Sequence, residues 1–336
     1  MRIFGGHDGG SGCAWYRVIL PFAELAKHGY ETTAVSSSKR DGGKGATRQA
    51  MAGHDVIVAQ KWDNHAGLGV WRRQALRSKL VYELDDDMFS IEPVNFASWQ
   101  QFSRPEVRDA VVHAAQTADL VTVSTEPLAE VMREYAANVA VLPNHIPGWV
   151  LDLPAPAGER PAVGWHGGAS HGTDIRLIGR PVREFLNRHP GWDAVMIGAD
   201  YRNAVRHERC GYVPWVHVTD APEAFYTAID WDIGLAPLQL NVFNRSKSHI
   251  KALEYAARGI PVIASDAEPY RDFVLHGVTG FLVRQDHEWL KYLEELAGDE
   301  GLRRSMGAKA KEQARAWTIE QGWKLWADAY EGLMVR

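Results

Sequence analysis

The stretch FNRSKSHIKALEYAARGIPVIASDAEPYRDFVLHGVTGFLV, Phe243 to Val283, decides how this chain is read. Ile250, Leu253, Ala256 and Ala257 recur at helical spacing, so an amphipathic helix is expected over Ser246–Arg258. Gly259 stands where a helix end favours a left-handed residue, and Pro261 follows where a helix cannot continue. The apolar run Pro261–Ala264 reads as a buried parallel strand, and Ser265-Asp266 opens a polar turn at its carboxyl end. Ligands of open parallel sheets bind outside the carboxyl ends of the strands. Arg245, Ser246, Lys247 and Ser248 would then form a helix start, with free N–H groups, a positive dipole end and two cations. That combination suits an anion, most naturally a phosphate or diphosphate.

These residues resemble the donor-binding segment of retaining glycosyltransferases of the GT-B fold, most closely glycosyltransferase family four (glycosyl transferases group 1). That family carries two glutamates with seven residues between them, then G-x-P-V-[VI]-A-[ST], and later G-x-T-G-[FL]-L-V. Here the matching residues are Glu254, Gly259-Ile260-Pro261-Val262-Ile263-Ala264-Ser265 and Gly277-Val278-Thr279-Gly280-Phe281-Leu282-Val283. Ser246 replaces the first glutamate. The resemblance implies that Glu254 holds the ribose hydroxyls of a nucleotide, while the sugar contact of the first glutamate has no carboxylate to carry it. By position, Lys247, Ser248 and His249 fall on the family's phosphate-contacting loop.

Composition bounds the rest. A length of 336 residues gives a prior of two domains, and 46% hydrophobic with 24% charged residues is ordinary for a globular enzyme. A net charge of −5 does not favour nucleic acid or a membrane surface as partner. Cys13 and Cys210 make no disulfide framework, so a reducing, cytoplasmic setting is expected. No signal peptide or membrane-length apolar stretch is read in the sequence. Most of the 13 tryptophans are expected in cores rather than under sugars.

From the amino terminus, strand Arg2–Gly5, a glycine-rich loop Gly5–Cys13, helix Trp15–His28 and strand Glu31–Val35 make a βαβ unit. The glycine spacing fails a dinucleotide fingerprint, and Ser36-Ser37-Ser38 stands where its acidic residue belongs. The loop resembles the one that GT-B enzymes set against donor phosphates and acceptor. This makes Gly10 and Ser11 donor-side candidates and His7, Asp8 and Arg17 acceptor or sugar candidates; a solvated loop with a helix-end salt bridge is the alternative. Strands Val56–Ala59 and Lys79–Leu84 follow, the latter ending in Asp85-Asp86-Asp87. The family has a histidine and an acid at the end of this strand, which places Asp85 and Asp86 at a polar contact to acceptor or sugar rather than at a metal. Loop and helix capping is the competing reading. Helix Glu106–Thr117, strand Leu120–Ser124, helix Pro127–Tyr135 and strand Val139–Leu142 lead to Pro143-Asn144-His145, where the family has Pro-Asn-Gly.

The pattern restarts with strand Ala162–Trp165 and the loop His166–Asp174, in which Thr173 or Asp174 is expected to cap a helix running to Arg188. Family members place an arginine and a lysine in this loop to grip the diphosphate. Gly167, Gly168, Ser170 and His171 stand here instead, with Arg245 or Lys247 expected to supply the charge and Lys251 only to flank it. Strands are expected at 193–197, 216–218 and 233–237, and helices at 287–298, 300–316 and 317–333.

The expected fold is α/β, GT-B, with two doubly wound Rossmann-like domains facing a central cleft. Residues 1–147 form the acceptor-side domain, 148–161 a linker and 162–316 the nucleotide-sugar domain. Residues 317–336 form a helix crossing back to the first domain. The expected activity is metal-independent transfer of a sugar, with retention, from a UDP- or GDP-sugar to an acceptor hydroxyl, with Lys247, Arg245 and Asp85 as the catalytic candidates. Donor contacts are expected from Glu254, Ser246, Ser248 and His249. The alternatives are a GT-B nucleotide-sugar epimerase or hydrolase, and a non-catalytic nucleotide-sugar-binding protein. Acceptor and oligomeric state are left open.

Overall fold

The computed structural model describes residues 1–36, 48–63, 65–74 and 76–335; Ser37 and Ser38, part of the triplet that argued against a dinucleotide site, lie outside them. The chain divides into two compact units: Met1–Pro147 with Ser246–Ser248 and Ile319–Arg336, and Gly148–Arg245 with His249–Thr318.

The first unit holds six parallel strands: β1 (Arg2–His7), β2 (Glu31–Ser36), β3 (Val56–Gln60), β4 (Lys79–Leu84), β5 (Leu120–Val123) and β6 (Val139–Val141). Their order is β2-β1-β3-β4-β5-β6, so the winding reverses between β1 and β3. The second unit holds β7 (Ala162–Gly167), β8 (Asp193–Gly198), β9 (Cys210–Pro214), β10 (Ile233–Ala236), β11 (Val262–Ser265) and β12 (Gly280–Val283). All are parallel, in the order β12-β11-β10-β7-β8-β9. Its winding reverses between β7 and β10. Such reversals leave a crevice at the carboxyl ends of the two strands, where doubly wound folds bind ligands.

Every residue of β3 and β7 is buried, as strands covered on both faces require. Helices supply the cover. In the first unit, Pro105–Thr117 buries Val107, Ala110, Val111, Ala114 and Ala115 against the core around Ile57, Leu80 and Tyr82. In the second, Arg176–Arg188 turns Ile178, Val182, Phe185 and Leu186 onto Trp165, Met196 and Leu235. Among the described residues, no helix is long and apolar enough to cross a membrane.

Three expectations are corrected. The strand expected at 216–218 is instead the edge strand β9, whose partly exposed Gly211–Pro214 carries too little apolar character to announce itself. The helix Arg176–Arg188 carries no side-chain cap, because the Asp174 carboxylate is used by Gln239 N, Asn244 Nδ2 and His171. The helix expected over Ser246–Arg258 runs only from Ile250 to Ala257, followed by Gly259 at φ 72°. Arg245 ends a separate short helix, Val242–Arg245, begun by the Asn241 side chain accepting from Asn244 N at 2.7 Å. Between the two helices Ser246 O accepts from Thr125 Oγ1 (2.8 Å) and Ser248 Oγ from Asn144 Nδ2 (2.9 Å), so this segment bonds outside any helix.

The last helix, Ile319–Met334, belongs to the first unit and begins with Ile319 N donating to Ile146 O at 2.8 Å. His145, just before that contact, is 5% exposed, and its Nδ1–H donates to Pro143 O at 2.8 Å. A Cβ on Gly322 would lie 2.1 Å from His145 Nε2, so the helix packs on the ring only through a residue with no side chain. Gly322→Ala should cost about 1–3 kcal/mol by overpacking, read as a lower urea midpoint. Burial lowers the His145 pKa to about 4 against an ordinary 6.5. The unfolded chain therefore takes up a proton that the folded chain refuses between those values, and stability falls as pH drops through that window, by on the order of 3 kcal/mol. His145→Gln should lose less stability than the wild type between pH 7 and pH 4.5 in the same measurement.

Candidate functional site

In the second unit the strands at the reversal, β7 and β10, pair directly, with Gly164 and Gly234 side by side. A Cβ on Gly164 would lie 1.9 Å from Trp231 Cδ2, so the hollow it leaves is filled by indole. Trp231, Tyr255 and Phe225 form an aromatic shell around His166, at ring separations of 6.2, 5.3 and 5.7 Å. His166 is the penultimate residue of β7 and is 4% exposed. Its Nε2 lies 3.0 Å from Glu254 Oε2, while its Nδ1 is buried without a hydrogen-bond partner among the described residues. Burial lowers the His166 pKa, and Glu254 opposes this only in part, so the ring is neutral near pH 7. Glu254 itself is 3% exposed, on the inner face of the helix Ile250–Ala257.

One turn before Glu254, Lys251 is also buried; it donates to the His166 carbonyl, and its Nζ lies 5.2 Å from the centre of the Trp165 ring. Lys251, expected only to flank the site, is thus buried beside His166 at the reversal. Arg245 is half exposed and paired with Glu268 at 2.8 Å. Lys247 groups with the first unit, 3.1 Å from Asp86. Ser246 and Ser248 group there too. His249 stacks on Phe273 at 4.5 Å and meets Trp317 edge-on at 4.4 Å, a packing position at the start of the helix. In the loop after β7, Gly167 is buried, Gly168 and Ser170 are exposed, and His171 Nδ1 lies 2.8 Å from Asp174.

In the first unit the corresponding point is the carboxyl ends of β1 and β3. The loop after β1 is tied across by Gln60, which accepts from Asp8 N (3.2 Å) and donates to Cys13 O (2.8 Å). Ser11 Oγ donates to Asp8 and accepts from Ala14 N, capping the first helical turn, while Gly10 is exposed. His7 is buried and accepts from Gly9 N at 3.2 Å. Burial raises the Asp8 pKa; Lys61 and Ser11 offset part of that. Asp85 pairs with Lys61, Asp86 lies 3.7 Å from Lys61, and Asp87 is a capping residue, accepting from Phe89 N at 2.9 Å. Lys61 is the residue the sequence reading missed. It follows an apolar strand without any flanking motif, and only pairing of β3 with β1 and β4 brings it to the aspartates.

Arg17, expected at an acceptor, is instead fully buried. Its guanidinium binds Glu83 at 2.7 and 3.1 Å, reaches Leu142 O and Asn144, and lies 4.8 Å over the Trp326 ring. Burial pushes the Glu83 carboxyl up, and Arg17 and Thr122 act against that rise. Removing one partner strands a buried charge, so Arg17→Met should cost about 3–5 kcal/mol in urea unfolding. Arg17→Met/Glu83→Leu should recover most of it. An Arg17 that served an acceptor would show the reverse: a stable single variant with weakened turnover.

Residues 250–313, which include Lys251 and Glu254, match the family model described as glycosyl transferases group 1. The fold is GT-B, two parallel six-stranded sheets with flanking helices, as in known glycosyltransferase structures. Sucrose-phosphate synthase from Thermosynechococcus elongatus superposes with a TM-score of 0.67 at 14% identity, covering 100% of this chain and 99% of that one. HepE from Anabaena, solved with UDP and glucose, gives 0.70 at 15% identity, covering 99% and 100%. A glycosyltransferase from Rickettsia africae gives 0.67 at 10% identity, covering 99% and 98%. No curated protein sequence matches the chain.

Proposed function

We propose that this chain, whose segment 250–313 carries a group 1 glycosyltransferase domain on a GT-B fold, transfers a sugar from a nucleoside-diphosphate sugar to an acceptor hydroxyl, with retention and without a metal. The observation that carries the reading is the cluster at the β7–β10 reversal. A buried carboxylate, a buried ammonium and a histidine with an unpartnered buried nitrogen meet where doubly wound folds bind ligands. Buried charged groups gathered at a ligand-binding place are candidates for a functional site. In this reading Glu254 accepts the ribose hydroxyls. The donor is a UDP- or GDP-sugar; UDP is the first to try, because HepE was solved with UDP and with UDP-glucose. The second unit is then the donor domain and the first the acceptor domain. Both cysteines are free, as a reducing cytoplasm allows.

A departing diphosphate carries negative charge that a water-poor site must balance. Lys251 is best placed to do so, bonded to the His166 carbonyl near the end of β7, where the loop with the exposed residues Gly168 and Ser170 begins. Lys251 thus takes the role of the basic pair that the family carries in that loop. Arg245 and Lys247, each held by a carboxylate, are secondary in this reading.

Calorimetry with UDP tests the donor site. Glu254→Gln should weaken binding about tenfold or more, the equivalent of one charge-assisted hydrogen bond of roughly 1.5–3 kcal/mol. Lys251→Met should lower turnover by two to three orders of magnitude, about 3–4 kcal/mol of leaving-group stabilisation, and Arg245→Ala by far less. Full turnover by Lys251→Met removes that lysine from the reaction. Turnover should survive EDTA, and loss restored by manganese would overturn the metal-free mechanism. UDP-sugar binding without transfer across an acceptor panel would favour the binding-protein reading.

A further inference from the structure

The residue that follows β3 has a backbone unusual for its type. Lys61 has φ 50°, the left-handed region, which a side chain with a Cβ occupies only when its surroundings hold it there. Its backbone N–H donates to Glu83 O at 3.0 Å, and its head group is tied down as well. Nζ lies 3.0 Å from Cys13 Sγ, pairs with Asp85, and is 3.7 Å from Asp86 Oδ2. Burial works against the ammonium, but Asp85, Cys13, Asp86 and Asp8 outweigh it and hold its pKa well above the ordinary lysine range. The groups come from three adjacent strand ends: Cys13 from the turn after β1, Lys61 from β3, Asp85 and Asp86 from β4.

Cys13 Sγ and one oxygen from each of the two aspartates lie within 4.8 Å of one another, the spacing of a ligand set around a cation. The cation among them is the ammonium of Lys61. A fold does not need such a cluster, since apolar residues of the same volume would serve stability as well or better. Its place, at the reversal of a doubly wound sheet, is a ligand-binding place.

We infer that Lys61 is a positioning residue for the acceptor half of the reaction, a built-in cation that fixes the Asp85 and Asp86 carboxylates to receive an acceptor hydroxyl. The inference rests on the glycosyl-transfer reading above. Asp86 is shared with Lys247 at 3.1 Å, and Asp8, Glu83 and His7 are the other titratable neighbours of the cluster. Without the ammonium, the carboxylates of Asp8, Asp85 and Asp86 lose the cation that sits among them.

Two measurements on Lys61→Met and Lys61→Ala test this. The first needs no ligand. Lys61→Met should melt below the wild type at pH 8, with the gap closing toward pH 5 as protons relieve the repulsion among the carboxylates. Propylammonium should raise the melting temperature of Lys61→Ala at pH 8 and leave the wild type unmoved. A gap that is the same at both pH values, or no response to the amine, overturns the built-in cation. The second measurement follows UDP release from UDP-glucose with water as acceptor, beside calorimetry with UDP. Lys61→Ala should turn over at least tenfold more slowly, bind UDP within twofold of the wild type, and regain rate with propylammonium. Lys61→Met, which fills the same space, should not regain it. Turnover within twofold of the wild type in both variants, with UDP binding normal, sinks the role of Lys61 alone. A wild-type chain that neither binds UDP nor releases it from UDP-glucose sinks the transfer reading itself, and the acceptor role with it.

Discussion

The first unit depends on a buried ion pair between Arg17 and Glu83, neither of which reaches solvent. A charge so placed is stable only if nearly all its donors and acceptors are met. Meeting them draws in Thr122 from β5, the carbonyl of Leu142 after β6, and the side chain of Asn144. The apolar face of the guanidinium is covered by Trp326 of the last helix. One pair therefore links the second turn of the chain, the central strand β4, the end of the sheet and the carboxyl-terminal helix. Asn144 also donates to Ser248, so the same network reaches the segment between the short helix Val242–Arg245 and Ile250–Ala257. The first helix passes through a stretch of π geometry, Trp15–Ile19, which contains Arg17. Such bulges often mark functional places in helices, and here the bulge carries the buried guanidinium.

The second unit is organised by space rather than charge. Small residues on β7 and β10 leave room for Trp231 and Tyr255, and those rings in turn exclude water from His166. In that dry setting a neutral imidazole, a carboxylate and an ammonium hold one another at close range, and electrostatic interactions are stronger than they would be in water. The two units thus reach the same chemical end by different means. Each places charged groups at the carboxyl ends of the strands where its winding reverses, one around Lys61 and one around Lys251.

How much was legible follows from the range of each interaction. Central strands such as β3, β4 and β7 announce themselves because both faces are buried and nearly every residue is apolar. The edge strand β9 does not, since part of it faces solvent. Glu254 was singled out by the resemblance of its segment to the glycosyltransferase family, a match carried by short local spacings. Arg17 and Asp85 were both noticed as charged residues beside the first and fourth strands, yet burial sends the first to the core and leaves the second at the strand ends. Nothing in the residue types tells these two fates apart. The helix expected from Ser246 shortens for a related reason: its first residues bond to Thr125 and Asn144, more than a hundred positions away.

The sequence by itself determined the class of fold, because helical period, apolar strand runs, and glycine and proline punctuation all act within a few residues. It also determined that Gly259 would end its helix, a matter of backbone sterics alone. The tertiary structure alone decided which charges face which. His166 meets Glu254 across 88 positions of chain, and Lys61 meets Cys13 and Asp85 because β1, β3 and β4 are neighbours in an order that the chain does not follow. Charge pairing depends on distance in space, and only the folding of the sheets sets that distance.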